Sequence, residues 1–308
     1  MRIVYMGTPD FAVPSLYALD QAGYKPIAVV TGMDKPRGRG RKLQPTPVKR
    51  AAEDLGIETI RQPKSVKSPE FAEQIKALEA DLQVVVAFRI LPPAVFQAAR
   101  LGAFNLHGSL LPRYRGAAPI HRAVMAGDSV TGVTTFFLRE KVDTGNMILQ
   151  RAMPIDPDDT TGDIHDRMMH LGASAVVETV RAIDSGKVEE IPQDNAAATP
   201  APKVFREQAE IPWSLDAGAV HNHIRGHSPV PCAWTESPVG TLKVFRSRLV
   251  EGTGDPGQVL ESDQGLVVAC GQGAVALLEV QPPGKRRMSA DAFLRGRSFE
   301  VGAFLTRS

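Results

Sequence analysis

The chain has 308 residues, more than one ordinary hydrophobic core absorbs, so two domains are expected. Hydrophobic residues make up 43% and charged residues 23%, the balance of a globular protein rather than of a disordered or fibrous one. A formal net charge of +2 gives no strong global field, so any nucleic-acid contact must come from a local basic patch.

The first half alternates short apolar runs with helical patterns. Residues 2–7 read as a buried strand, and residues 9–23 as a helix closed by Gly23. PIAVVT at 26–31 is a second strand. Residues 47–55 have a helical pattern, 57–60 an extended one, and 70–80 a helical one. LQVVVA at 82–87 is a strand whose apolar continuity fits burial on both faces. Residues 92–99 are expected to be helical, 103–107 a strand, and a helix is expected around 121–126. Strands at 130–138 and 147–155 follow, then a long helix over 163–183. This alternation predicts a parallel sheet with helices on both faces.

The pattern changes near residue 186. QDNAAATPAP at 193–202 is rich in Ala and Pro and nearly uncharged, which reads as a linker. Beyond it, Gly and Pro punctuate short apolar runs at 242–245, 258–260, 265–269 and 274–279, the pattern of a small β-rich domain. The expected organisation is a first domain over 1–189, a linker over 190–207 and a second domain over 208–308.

Targeting and redox signals are few. The opening MRIVYMGTPDF lacks the apolar stretch and cleavage site of a signal peptide, and no run reaches the roughly 18 apolar residues of a membrane span. A cytoplasmic protein without membrane contact is expected. Cys232 and Cys270 have no CxxC or paired spacing, which excludes a disulfide framework and argues against a zinc ribbon.

The strongest chemical feature is Phe104-Asn105-Leu106-His107, at the end of a predicted strand. Strand alternation puts Asn105 and His107 on one face. Ligands of open α/β sheets sit outside the carboxyl ends of the strands. There an amide can donate to a developing oxyanion and an imidazole can shuttle a proton. On spacing alone, a strand-end pair satisfied by local hydrogen bonds is the favoured reading. The loop over 108–120 carries two prolines and two glycines and by composition is an ordinary loop. Asp143 lies in Val-Asp-Thr-Gly between two predicted strands, where a carboxylate near an imidazole would orient it. Asp-Thr-Gly is also the aspartic-protease triplet, but the second copy expected of a single-chain protease is absent.

Residues 31–50 hold seven Lys and Arg (Lys35, Arg37, Arg39, Arg41, Lys42, Lys49 and Arg50) against one acid, Asp34. Gly38 and Gly40 interleave the arginines, so a flexible basic loop suited to phosphate contact is expected, with a solvated charged loop as the plainer reading. Three other patterns fail on context. Gly252-Thr-Gly-Asp-Pro-Gly257 matches GxGxxG but no helix pattern follows it, and Gly7-Thr8-Pro9 lacks the GK[ST] element of a P-loop. His221 and His223 are two apart on a helical pattern, hence point different ways, and are expected at surface or interdomain positions rather than on a metal.

Eight stretches carry a broader likeness: IVYMGTPDFAVPSL, DKPRGRGRKLQPTPVK, VVVAFRILP, FNLHGSLLPRYRGAAPIHRAV, VDTGNMI, APKVFREQAEIPW, IRGHSPVPCAW and PPGKRRMSADAFLRG. Together they resemble the methionyl-tRNA formyltransferase family along nearly the whole chain. The FNxHxSLLP…DTG set is shared with other 10-formyltetrahydrofolate enzymes, while the basic loop and the two C-terminal blocks belong to the tRNA enzymes. The resemblance implies an α/β fold with a Rossmann-like, doubly wound, mostly parallel sheet, followed by a C-terminal OB-like β-barrel. It implies transfer of formyl from 10-formyltetrahydrofolate, a cosubstrate, to the α-amine of initiator Met-tRNA, by a monomer and without a metal. The catalytic trio falls on Asn105, His107 and Asp143. Folate contacts fall on Ser109, Leu110, Leu111 and Pro112, with Phe88, Arg89 and Ile90 beside the pocket. The tRNA loop falls on Lys35, Arg37, Arg39, Arg41 and Lys42.

The chain departs from the family pattern at three places. Lys141 replaces a common Gly before Asp143, Phe88-Arg89-Ile90 is one residue shorter than usual, and Cys232 stands where Gly is frequent. Residues 200–308 hold 12 Lys/Arg and 11 Asp/Glu, so tRNA contacts of the second domain must be local, with Lys243, Arg246, Arg248, Lys285, Arg286 and Arg287 as candidates. The competing readings are a sugar-nucleotide N-formyltransferase, a folate hydrolase and a non-catalytic RNA-binding protein. A dinucleotide dehydrogenase ranks last, because the first strand lacks the glycine fingerprint.

Overall fold

Strand β1 (Ile3–Gly7) is buried along its whole length, and the chain builds a sheet outward from it in both directions. In chain order there follow α1 (Val13–Gln21), β2 (Ala28–Val30), β3 (Lys35–Arg37), β4 (Lys42–Gln44), α2 (Pro47–Asp54) and β5 (Ile60–Arg61). Next come α3 (Pro69–Lys76), β6 (Leu82–Val86), α4 (Pro93–Phe96), β7 (Ala103–His107) and α5 (Pro119–Met125). β8 (Val130–Phe137), β9 (Met147–Pro154) and α6 (Thr161–Asp184) complete this half. This computed structural model describes residues 1–37, 42–263, 265–295 and 299–305.

The large sheet has the order β5-β2-β1-β6-β7-β8-β9. Its first five strands are parallel and β8 runs antiparallel to β7, so the sheet is mostly parallel and Rossmann-like. Helices start where the sequence gives them caps. Thr46 and Ser68 accept the backbone N–H of Lys49 and Phe71, and Pro47 and Pro69 occupy first-turn positions where no N–H is needed. One face of the sheet packs Val4, Met6, Val30 and Val85 against Phe71, Ile75 and Phe96. On the other face Leu106 abuts α6, where a Cβ at Gly172 would stand 2.6 Å from its Cδ2. Burial on both faces is the physical reason for the unbroken apolar run of β6.

Two local expectations change. Residues 9–23 are a short 3₁₀ turn, Asp10–Ala12, followed by α1, because Pro14 sits in the first α-turn. The basic stretch is not a flexible loop at its base: β3 and β4 pair antiparallel, with Lys35 opposite Gln44 and Arg37 opposite Lys42.

The C-terminal sequence forms α7 (Ala217–His227), β10 (Ala233–Thr235), β11 (Leu242–Val250), β12 (Val259–Glu261), β13 (Leu266–Ala269), β14 (Ala274–Gln281), β15 (Met288–Ser289) and α8 (Ala290–Leu294). Its strands make an antiparallel sheet of order β10-β11-β14-β13-β12, with β15 added to β14. Trp213, Val220, Ile224, Val244 and Leu277 are among the residues of its core. β11 runs five residues past its expected end because Arg246 and Arg248 interrupt the apolar pattern without leaving the strand.

The chain divides into one unit of residues 1–119, 131–153 and 165–201, and another of 120–130, 154–164 and 202–308. Two early segments therefore pack with the C-terminal sequence. Gly226 of α7 meets Met125, and Thr161 Oγ1 donates to the Gly226 carbonyl at 2.8 Å. The expected surface position of His221 is wrong. It is 5% exposed, with one ring nitrogen 3.0 Å from Ser247 Oγ and the other 3.0 Å from the Pro157 carbonyl, because α7 turns this residue inward beside Val220 and Ile224.

Candidate active site

β7 carries Asn105 and His107 to its carboxyl end on one face, while Leu106 between them turns to α6. His107 is 6% exposed. Its Nε2 lies 2.8 Å from the Tyr114 carbonyl, which can only accept, so Nε2 bears a proton and donates it there. Nδ1 is left facing Asp143, 3.8 Å from Oδ2, beyond direct hydrogen-bond reach. The Phe136 ring closes the apolar side of the imidazole in an edge-on contact at 6.4 Å. Nδ1 is thus the nitrogen available for proton exchange.

Asp143 sits in the left-handed region at φ 54, and its Oδ2 accepts the Gly116 N–H at 2.9 Å. Two residues on, Gly145 makes the turn possible: a Cβ there would lie 1.6 Å from the Phe137 carbonyl oxygen. Asn105 is half-buried, and its carboxamide makes no hydrogen bond among the described residues.

A cavity of about 100 Å³ joins these groups, bounded by Asn105 and Asp143 together with Phe88, Arg89, Ile90 and Val142. A second, of about 450 Å³, shares Phe88 and Arg89 and reaches Thr8, Gly32, Met33 and Lys35. The larger lies past the carboxyl ends of β1, β2 and β6, where the strand order reverses, and the smaller beside β6 and β7. The Arg89 guanidinium donates to the carbonyls of Pro63 (2.9 Å) and Lys64 (3.2 Å) and lies over the Phe88 ring. Burial pulls its pKa below the ordinary guanidinium value.

The segment Ser109 to Pro112 stands elsewhere. Ser109 is fully buried, its hydroxyl donates to the Arg113 carbonyl at 2.6 Å, and its own carbonyl accepts from Thr134. Leu111 is 3% exposed against Phe136 and Met147, and its backbone N–H and C=O are taken by Thr134 and Gln150. Neither side chain is among those that bound the two cavities described. Both brace the loop instead, because its backbone polar groups need partners once buried. Leu110 and Pro112 are partly exposed, but neither bounds the two cavities described.

The basic residues divide as well. Lys35 borders the larger cavity. Arg37 and Lys42 are paired through their backbones across the hairpin. Arg39 and Arg41 lie outside the described residues. Asp34 takes Lys49 in a 2.7 Å ion pair, and hydrogen bonds from Lys49 and Gln62 hold its carboxyl below the usual range. Lys49 is therefore committed to Asp34 rather than left for phosphate. Among the described residues no cluster of three His, Cys, Asp or Glu side chains is placed to hold a metal ion.

Sequence reasoning missed the residues that brace the trio: Tyr114, Arg115 and Gln193. Tyr114 and Arg115 lie inside the stretch FNLHGSLLPRYRGAAPIHRAV but carried no role there, and Gln193 lay in a segment read as a linker.

The formyl transferase family model matches residues 1–180, and its C-terminal domain model matches residues 203–298. A methionyl-tRNA formyltransferase of Bacteroides fragilis is 47% identical over 308 residues, covering 96% of this chain and 95% of its own. One from Moorella thermoacetica is 47% identical over 309 residues, covering 99% of both. Among solved structures, an N-formyltransferase of Helicobacter canadensis, in complex with folinic acid and dTDP-3-aminofucose, superposes with a TM-score of 0.67 over 90% of this chain and 98% of its own. At 18% identity that likeness shows the fold alone.

Proposed function

We infer the reaction from one premise: the chain belongs to the methionyl-tRNA formyltransferase family. It transfers the formyl group of 10-formyltetrahydrofolate to the α-amine of methionyl-initiator-tRNA, for translation initiation. One observation carries the site: a single cavity is bounded by Asn105 and Asp143, and His107 stands beside it with Nδ1 turned to that carboxylate. The sugar-nucleotide alternative loses ground because the relatives at 47% identity are tRNA enzymes, whereas the sugar enzyme stands at 18%.

The new C–N bond to the methionyl amine forms as the formyl C–N bond to the folate breaks, and the amine gives up a proton that the departing folate nitrogen takes. Asn105 donates from its free carboxamide to the formyl oxygen as that atom gains charge. His107, charged and held at Nε2 by the Tyr114 carbonyl, supports the same oxygen and exchanges its proton at Nδ1. Asp143 stabilises the imidazolium, and the 3.8 Å gap fits a relay through one water. The apolar wall of Phe88, Leu91, Leu138 and Val142, with polar groups at the rim, suits a flat heterocycle. The segment Ser109, Leu110, Leu111 and Pro112 extends this folate surface. No metal is required, because donors and a proton route suffice.

The basic hairpin, with Lys35, Arg37, Arg39, Arg41 and Lys42, takes the acceptor end of the tRNA. Residues 1–189 serve as the catalytic domain and 190–207 as the linker. Residues 208–308 form an OB-like tRNA-binding barrel that offers basic groups such as Lys243 and Arg248. The enzyme works as a monomer in the cytoplasm; among the described residues no helix is long and apolar enough to cross a membrane. The test is formyl transfer from 10-formyltetrahydrofolate to initiator Met-tRNA against elongator Met-tRNA. Transfer confined to the initiator supports the reading. Transfer to an amino-sugar nucleotide and to neither tRNA overturns it.

A further inference from the structure

Residues 190–201 have the composition of a linker but make specific contacts on the candidate site. Ile191 and Met147 exchange backbone hydrogen bonds at 2.8 and 2.9 Å. Thr199 accepts the Tyr114 N–H on its hydroxyl at 2.8 Å and the Arg115 N–H on its carbonyl at 2.8 Å. Ala201 donates to the Arg115 carbonyl at 2.7 Å. Gly116 is tied so closely that a Cβ there would stand 2.6 Å from the Ala201 oxygen.

Gln193 occupies the middle of this strap. Its Oε1 accepts from Arg115 Nε at 3.0 Å and Nη2 at 2.7 Å. Its Nε2 donates to the carbonyls of Asp143 at 3.1 Å and Gly145 at 2.7 Å. Arg115 follows Tyr114, whose carbonyl holds His107 Nε2, and Asp143 faces His107 Nδ1. One side chain thus joins the two loops that meet the imidazole from opposite edges.

Both loops need such support. Tyr114 at φ 61 and Asp143 at φ 54 adopt the left-handed conformation that residues with a Cβ avoid. An unsupported turn would relax toward ordinary values and carry the Asp143 carboxylate or the Tyr114 carbonyl with it. Only an amide fits the position: Oε1 must accept from a guanidinium while Nε2 donates to two carbonyls. A glutamate would keep the first contact and lose the second. Gln193 is half-buried.

We propose that Gln193 is a positioning residue for formyl transfer, setting Asp143 and the Tyr114 carbonyl about His107 by tying their loops together. This rests on the assignment of Asn105, His107 and Asp143 as the reacting groups. The test uses the full-length enzyme with Gln193→Ala and Gln193→Glu, each alone and with Asp143→Asn. kcat, KM for both substrates, the pH profile of kcat and the melting temperature are measured. Both single variants are expected to lose about tenfold or more in kcat, since sub-ångström displacement is costly in a reacting array. KM values are expected to stay within about threefold, and the pH limb controlled by the His107 and Asp143 pair to move. With Asp143 already Asn, the Gln193 change is expected to cost clearly less than it does alone, because the part of its effect that runs through the carboxylate is gone and only the route through the Tyr114 carbonyl remains.

Wild-type kcat and pH profile in the single variants, with Asp143→Asn crippled, would overturn the proposal and leave the catalytic assignment standing. A full-sized loss in both backgrounds would do the same. Full turnover by Asp143→Asn would bring down the catalytic assignment and this proposal with it. Should Gln193→Ala melt below the assay temperature, Gln193→Glu, which keeps the Arg115 contact, decides alone.

Discussion

Two sets of buried histidines are handled in opposite ways. His107, at the end of β7, has each ring nitrogen addressed: Nε2 donates to the Tyr114 carbonyl and Nδ1 looks across 3.8 Å to Asp143. In α7, His223 and His227 stack at 4.2 Å between ring centroids, and each leaves a buried Nε2 without a hydrogen-bond partner among the described residues. Burial, and then the neighbouring His227, push His223 down to about 4. Burial also lowers His227, partly offset by its hydrogen bond to the His223 carbonyl. Burial alone therefore makes an imidazole a neutral packing element. At His107 a carbonyl on one side and a carboxylate on the other instead fix the ring's orientation and address both nitrogens.

The sharpest break of this contrast is a pair of substitutions. His107→Ala is expected to cut kcat by about 100-fold or more, with a melting temperature close to wild type. His227→Leu is expected to leave kcat within about threefold. Equal losses of turnover in the two would dissolve the distinction. Gly145→Ala probes the frame around His107 rather than the ring. The added methyl collides with the Phe137 carbonyl, so urea unfolding should register a loss of roughly 1–3 kcal/mol and kcat should fall with it. A stable, fully active Gly145→Ala enzyme would mean that the Asp143 turn is not held as argued.

Acid separates the α7 histidines by thermodynamics. The ordinary histidine value of 6.5 applies to the unfolded chain, and His223 folds with about 4, so below 6.5 the unfolded state takes up the proton first. The stability these groups contribute is complete above pH 6.5 and is lost as pH falls toward 4. Melting temperatures across that window should fall for the wild type and fall less for His227→Leu. Parallel curves would contradict the depressed values. The smallest effect is expected at Cys232, buried at φ 74. Cys232→Gly relieves left-handed strain but gives up burial and chain rigidity, so urea unfolding should shift by no more than about 1 kcal/mol.

The reach of sequence reading follows the range of the interactions. Asn105 and His107 were legible as neighbours because strand alternation is a property of consecutive residues. The parallel sheet was legible because both-face burial leaves an uninterrupted apolar run. Asp143 was only a turn triplet until the family resemblance singled it out. Ser109 and Leu111 belonged to the right motif, but only coordinates show that they brace their own loop. The hairpin under the basic stretch was missed because Lys and Pro are poor strand formers, and only cross-strand pairing places them in β3 and β4.

By itself the sequence determined the α/β class, the family, the candidate reacting residues and the basic character of the loop after β2. All of these are written in composition, local periodicity and contiguous motifs. Tertiary structure decided which nitrogen of His107 is committed, which residues surround the cavity, and that a linker-like segment braces the site. Gln193 meets its partners 50 and 78 positions away, Tyr114 meets Thr199 across 85, and two of these turns hold backbone angles that no local preference favours. Contacts over such separations exist only after the sheet has closed, so no window along the chain contains them.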